Sequence, residues 1–200
     1  MGLDITVLAV DWEQLERTPF EQRYALLEDA ALPEDELDPD AEPQEGWVWP
    51  TAPLPWCGRY EFRSTSGSYK PHFWAGQAWE DVRGHAGQET REHLDAFLRE
   101  LIWDDGTEDG TVPGLFAGDP DPRRPRLLLA CPPPTVSALA GHWARVEPSL
   151  ESLRKPFAAH PTRPGRWIEN FDEFSALLRE WGAVVTGTDR RGWGLVGLPL

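Results

Sequence analysis

Lysine is nearly absent from this 200-residue chain, where Lys70 and Lys155 are the only two. Arginine carries the other positive charges. With 18 Gly, 20 Pro and abundant Ala, the composition resembles the codon bias of a GC-rich bacterial genome, from which no function is drawn. Cysteine is equally scarce. Cys57 and Cys131 stand far apart and form no CxxC, so neither a disulfide framework nor a zinc ribbon is supported. No apolar run approaches the roughly 20 residues of a membrane-spanning helix. No signal peptide is expected, because Asp4 interrupts the first apolar run and no basic segment precedes it. Gly2 and Thr6 fit a loose myristoylation pattern, read here as coincidence. The expected location is the cytoplasm.

Positive charge is also missing from one long stretch. Between Tyr24 and Gly58 there is no Lys or Arg, while Glu28, Asp29, Glu34, Asp35, Glu36, Asp38, Asp40, Glu42 and Glu45 all fall there. The formal net charge is −15. That balance opposes binding to nucleic acid, which depends on cations neutralising phosphates, and opposes docking on anionic membranes. Beyond Arg123 basic residues outnumber acidic ones, so the acidity is local. Its plain reading is a solvated, self-repelling loop; its functional reading is a surface for a basic protein partner.

Tryptophan is the residue in excess, with 11 copies. Residues 31–58 form a long acidic segment, rich in Pro and Trp, inside a single domain spanning 1–200. Its second half, WVWPTAPLPW, sets Trp47, Trp49 and Trp56 among prolines that favour extended backbone. Indoles are costly to leave in water, so these side chains are expected to anchor the segment as a strap. The competing reading is a stacking platform for a sugar or other small molecule.

The periodicities predict an α+β fold, a small and mostly antiparallel sheet packed against several amphipathic helices. LDITVLAV (3–10) reads as a buried strand, followed by an Asp11 cap. Thr18, Pro19 and Glu21 read as the start of a helix running to about Asp29. RYEF (59–62) and RLLLAC (126–131) read as strands. Leu94, Phe97, Leu98, Leu101 and Ile102 trace a helical stripe from about residue 88. A further helix opens at PPPTV and restarts at Pro148. Asn170 and Glu173 form a capping pair for a helix carrying Phe171, Phe174, Leu178 and Trp181, with Gly182 as its stop. AVVTGTDRRGWGLVGLPL then reads as a C-terminal β-hairpin turning near Asp189–Gly192, with Arg190 and Arg191 at its tip.

The chemically richest stretch is RSTSGSYKPHFW (63–74). Ser66, Ser68, Lys70 and His72 are the weak catalytic candidates of a hydrolase reading, in a cleft lined by Tyr69, Phe73 and Trp74. Each known motif misses a required position. SxxK finds Gly67 where serine is needed, and GxSxG fails after Gly67. YxxxK finds Phe73 where lysine is needed, and no phosphate-binding GxxxxGK[ST] occurs anywhere. The structural alternative is a strand ending in a serine/threonine turn at Gly67, redirected by Pro71. Tyr69, Trp74, Trp47 and Trp49 are the ligand-binding candidates. DDGTEDG (104–110) matches a calcium loop at Asp105, Thr107, Asp109 and Gly110, but Phe116 stands where a bidentate Glu belongs. His72, His85, His93, His142 and His160 show no HxxxH or HExxH spacing; His72, His85, His93 and Cys57 are the members of any cluster formed in space. No metal and no cofactor are expected.

Two islands, MGLDI at the start and GSYKPHFW (67–74), resemble uncharacterised bacterial proteins that open with MGLD and carry a GSY segment ahead of a Trp. In that family the segment is often followed by Trp-Arg; here Ala75 follows Trp74. The resemblance implies a stand-alone cytoplasmic bacterial domain with the GSY segment as its identifying site; it carries over no known activity, for or against. The expectation is a protein-binding or regulatory module, conceivably immunity-like, rather than an enzyme.

Overall fold

In a computed structural model the chain is described at residues 5–31, 46–48, 54–65, 70–102, 115–116, 119, 127–159 and 168–199. The fold is α+β. Its sheet is built on strand β1 (Ile5–Val10), whose apolar residues alternate between two faces. Strand β3 (Cys57–Tyr60) pairs with one edge of β1, and strand β5 (Gly194–Pro199) with the other. The two-residue strand β2 (Trp47–Val48) and the strand β4 (Leu129–Cys131) complete the order β2-β3-β1-β5-β4. Every pairing is antiparallel.

Ile5, Val7 and Ala9 face a large cluster; Leu8 and Val10 face a smaller one. The period of two fixes which helices cover which face. The smaller cluster takes helix α1 (Trp12–Arg17) through Leu15, and helix α2 (Phe20–Ala31) through Leu27 and Ala31. The larger takes α3 (Lys70–Arg83), α4 (Gln88–Leu101), α5 (Pro133–Val146), α6 (Arg154–Ala159) and α7 (Phe171–Asp189). A 3-10 stretch, Glu147–Leu153, joins α5 to α6. The sheet is thus a middle layer with helices on both sides.

Three sequence expectations change. The hairpin at the C-terminus is a helix followed by one strand. Residues 183–189 continue α7, because Phe174, Leu178, Trp181, Val185 and Thr188 keep one buried stripe at helical spacing. Tertiary burial overrides the strand preference of the β-branched residues there. Gly182 therefore stops nothing. A β-carbon at that position would overlap the indole of Trp143, so the glycine lets α5 and α7 approach closely. Secondly, the chain after Lys70 turns at once into α3. Thr18 also differs from expectation: it caps the C-terminus of α1, with its hydroxyl donating to the Gln14 carbonyl at 2.8 Å.

The local grammar at α1 and α7 holds. Asp11 accepts from the Glu13 and Gln14 amides. Asn170 Oδ1 accepts from the Glu173 amide at 3.0 Å, and the Glu173 carboxylate accepts from the Glu169 amide at 2.6 Å. Helices α3 and α4 are tied by Asp95, which accepts from Trp79 Nε1 and from both Nε and Nη2 of Arg83. A second tie crosses the smaller cluster. Arg23 pairs with Asp119 at 2.6 Å, donates to the Thr18 and Glu16 carbonyls, and lies over the Phe116 ring.

Candidate functional site

The segment from Arg63 to His72 is held at both ends by adjacent residues of α7. At its start, the Glu180 carboxylate accepts from the Arg63 amide at 2.5 Å and from the Ser64 amide at 3.1 Å. The Ser64 hydroxyl donates to the same carboxylate. At its end, Trp181 Nε1 donates to His72 Nδ1 at 3.0 Å. Consecutive residues on a helix point about 100° apart, so one turn of α7 reaches both ends of the segment. Ser66, Gly67, Ser68 and Tyr69 lie outside the described residues, as does the Lys70 side chain.

His72 is enclosed. It is fully buried and meets Phe62 edge-on at 4.8 Å between ring centroids and Trp181 at 5.6 Å. Pro71 sits in the first turn of α3, where a missing amide hydrogen costs nothing, and the helix carries His72 inward beside Ala75 and Trp79. Burial pushes its pKa down to about 3, because the cationic form would lose its hydration. The indole N–H is a donor only, so Nδ1 must present its lone pair and the neutral ring carries its proton on Nε2. A ring in this state is a core polar contact, and the placement lends no support to His72 as the base of a Ser66 or Ser68 hydrolase.

The aromatic candidates separate. Trp47 is buried against Tyr60 (5.1 Å, edge-on) and reaches α7, where a β-carbon on Gly187 would come within 2.8 Å of its Nε1. It is an anchor of the strap rather than an open stacking face. Trp56 is half-buried on the smaller cluster and its carbonyl accepts from the Asp11 amide. Trp74 is half-buried against the larger cluster and packs edge-on with the exposed Phe73. Trp49 and the calcium-like loop 104–110 lie outside the described residues.

The proposed histidine and cysteine cluster does not assemble. Cys57 is buried in β3 with its thiol pushed up to about 12 by desolvation, His72 is in the core and His85 is exposed after α3. His93 instead meets His142, a pairing across α4 and α5 that sequence spacing hides. Among the described residues no group of three or more His, Cys, Asp or Glu could hold a metal ion, and no helix is long and apolar enough to cross a membrane.

The charged surface is the remaining candidate. On α2, Glu21 and Asp29 are exposed and Glu28 is half-exposed, with Glu13 and Glu16 exposed on α1 beside them. The cations of these helices are occupied: Arg17 pairs with Glu13, and Arg23 is turned inward to Asp119. Among the described residues, Glu21, Glu28 and Asp29 form no ion pair. The acidic run from Glu34 to Glu45 follows α2 in sequence but lies outside the described residues. No protein-family model, no curated protein and no solved structure matches the chain.

Proposed function

We propose that this protein is a binding or regulatory module rather than an enzyme, and that it engages a basic protein partner through the acidic face of α2. The observation that carries the reading is the fate of Arg23. It is the only arginine of α2, and it is buried and paired with Asp119, so α2 itself supplies no cation to offset its outward Glu21, Glu28 and Asp29. The sequence extends that charge through a further run of carboxylates with no Lys or Arg before Gly58. Such a surface accelerates encounter with a cationic partner and repels polyanions. The buried, neutral His72 supports the non-catalytic side of the reading. An immunity-like neutralisation of a basic protein is one role of this kind.

The test is binding with the charge removed. A triple E21Q/E28Q/D29N variant keeps the side-chain sizes and the buried Arg23–Asp119 pair. A partner bound by the wild-type chain should bind the variant at least tenfold more weakly, and the difference should shrink as salt is raised. Equal binding at low salt would remove the α2 face from the interface.

A further inference from the structure

The cleft between α4 and α5 gathers polar side chains that the fold does not use. Its volume is about 370 Å³, at the small end of the roughly 300–1,000 Å³ usual for ligand sites. Ala96 of α4 and Ala138 of α5 are among its lining residues. Arg99 and Glu100 of α4 and Thr135 and His142 of α5 bring polar groups to the same walls. Among the described residues neither the Arg99 guanidinium nor the Glu100 carboxylate has an ion pair, and the Thr135 hydroxyl has no hydrogen bond. An unpaired arginine is notable in a chain of net charge −15.

His142 enters this cleft with its hydrogen-bonding polarity already set. Arg145 Nη1 can only donate, and it contacts His93 Nε2 at 3.4 Å. With that nitrogen accepting, the ring proton of His93 lies on Nδ1. The Nδ1 atoms of His93 and His142 are 2.9 Å apart, so His93 donates and His142 accepts. The proton of His142 is then on Nε2. Burial first, and then the proximity of His93 and Arg145, hold its pKa below the ordinary histidine value. Arg145, His93 and His142 thus form a chain of donors ending in an Nε2–H on a residue of the cleft wall.

We infer that the α4–α5 cleft is a binding site for a small amphoteric ligand of the α-amino-acid class. Arg99, Thr135 and the His142 Nε2–H offer donors to its carboxylate, and Glu100 offers an acceptor to its ammonium group. The carboxylate of Glu100 in the same wall disfavours a dianion such as phosphate, whereas a zwitterion matches both signs. This site is separate from the acidic face of α2, and neither depends on the other.

The inference is tested by following the ring ¹⁵N signals of histidine-labelled protein at pH 7.5 while adding L-alanine, acetate or inorganic phosphate. L-Alanine should move the His142 signals saturably and bind more tightly than either anion. R99Q and E100Q should each weaken L-alanine binding by about tenfold, the cost of losing one charge-assisted hydrogen bond. Both side chains are exposed, so these variants should melt with the wild type. No saturable shift with any probe, or shifts unchanged in R99Q, would overturn the site. Tighter binding of phosphate or acetate than of L-alanine would overturn the assignment of ligand class.

Discussion

Trp181 donates its indole N–H to the buried His72 ring across 3.0 Å, joining α7 to the first turn of α3. The contact makes His72 a determinant of stability. His72→Ala should remove a filled core position and leave the Trp181 donor without an acceptor. A loss of about 2–4 kcal/mol is expected from the cavity and the unsatisfied donor together, read by urea unfolding. A stability equal to wild type would contradict the buried placement.

The same burial sets an acid limit. The folded pKa of His72 lies at about 3, below its ordinary 6.5, so the unfolded chain binds the proton more readily. Its contribution is complete above pH 6.5 and is lost as pH falls toward 3, at up to about 1.4 kcal/mol per pH unit. Asp95 acts in the same direction at lower pH. Burial alone would raise its pKa, but hydrogen bonds from Arg83 and Trp79 hold it below the ordinary value, so its stabilisation fades as the carboxylate is protonated. Thermal melts at pH 7.5, 5.5 and 4.5 should fall in steps, and His72→Phe should flatten the upper part of that fall. A wild-type melting temperature independent of pH over this range would contradict the assignment of His72, while the contribution of Asp95 is lost only at still lower pH.

Two helical glycines make an opposed pair. Gly182→Ala puts a methyl group into the Trp143 indole, and overpacking of this kind costs about 1–3 kcal/mol. Gly141, on the exposed side of α5, has no atom near the position of an added β-carbon. Gly141→Ala should therefore stabilise by about 0.5–1 kcal/mol through helix propensity alone. Chemical unfolding of the two variants beside the wild type checks the signs.

Gly182 also shows where sequence reading reached and where it stopped. The start of α7 was legible, because the Asn170 cap and Glu173 act through local hydrogen bonds at fixed spacing. Its end was not, because the reason for glycine at 182 is a residue 39 positions away, Trp143. Helix α3 was hidden for a related cause. Its inward stripe is His72, Ala75, Ala78, Trp79 and Val82, in which a histidine and two alanines weaken the apolar signal. Pro71 looked like a redirecting residue and is an ordinary first-turn proline. Strand β1 was read correctly because its apolar run is buried on both faces. The His93–His142 pair depends on how α4 packs on α5 and had no local signature.

The Arg23–Asp119 pair should behave as a buried ion pair. Asp119→Ala leaves a guanidinium largely out of water without its counter-ion, at a cost of about 3–5 kcal/mol. The double variant R23M/D119L removes both charges and should recover much of that loss, as calorimetric melts would show. A double variant as unstable as D119A would mean that the geometry of the pair, rather than its charge, holds Phe116 and Asp119 against α1 and α2.

The claim that the acidic face of α2 is the working surface is tested most directly by affinity capture from the source cell. Wild-type chain, E21Q/E28Q/D29N and the charge control E147Q, an exposed carboxylate away from α2, would be used side by side at low and high salt, with captured proteins identified by mass. The prediction is a basic protein retained by wild type and E147Q at low salt, released at high salt, and absent from the triple variant. Recovery of the same proteins in equal amount by the triple variant would contradict it.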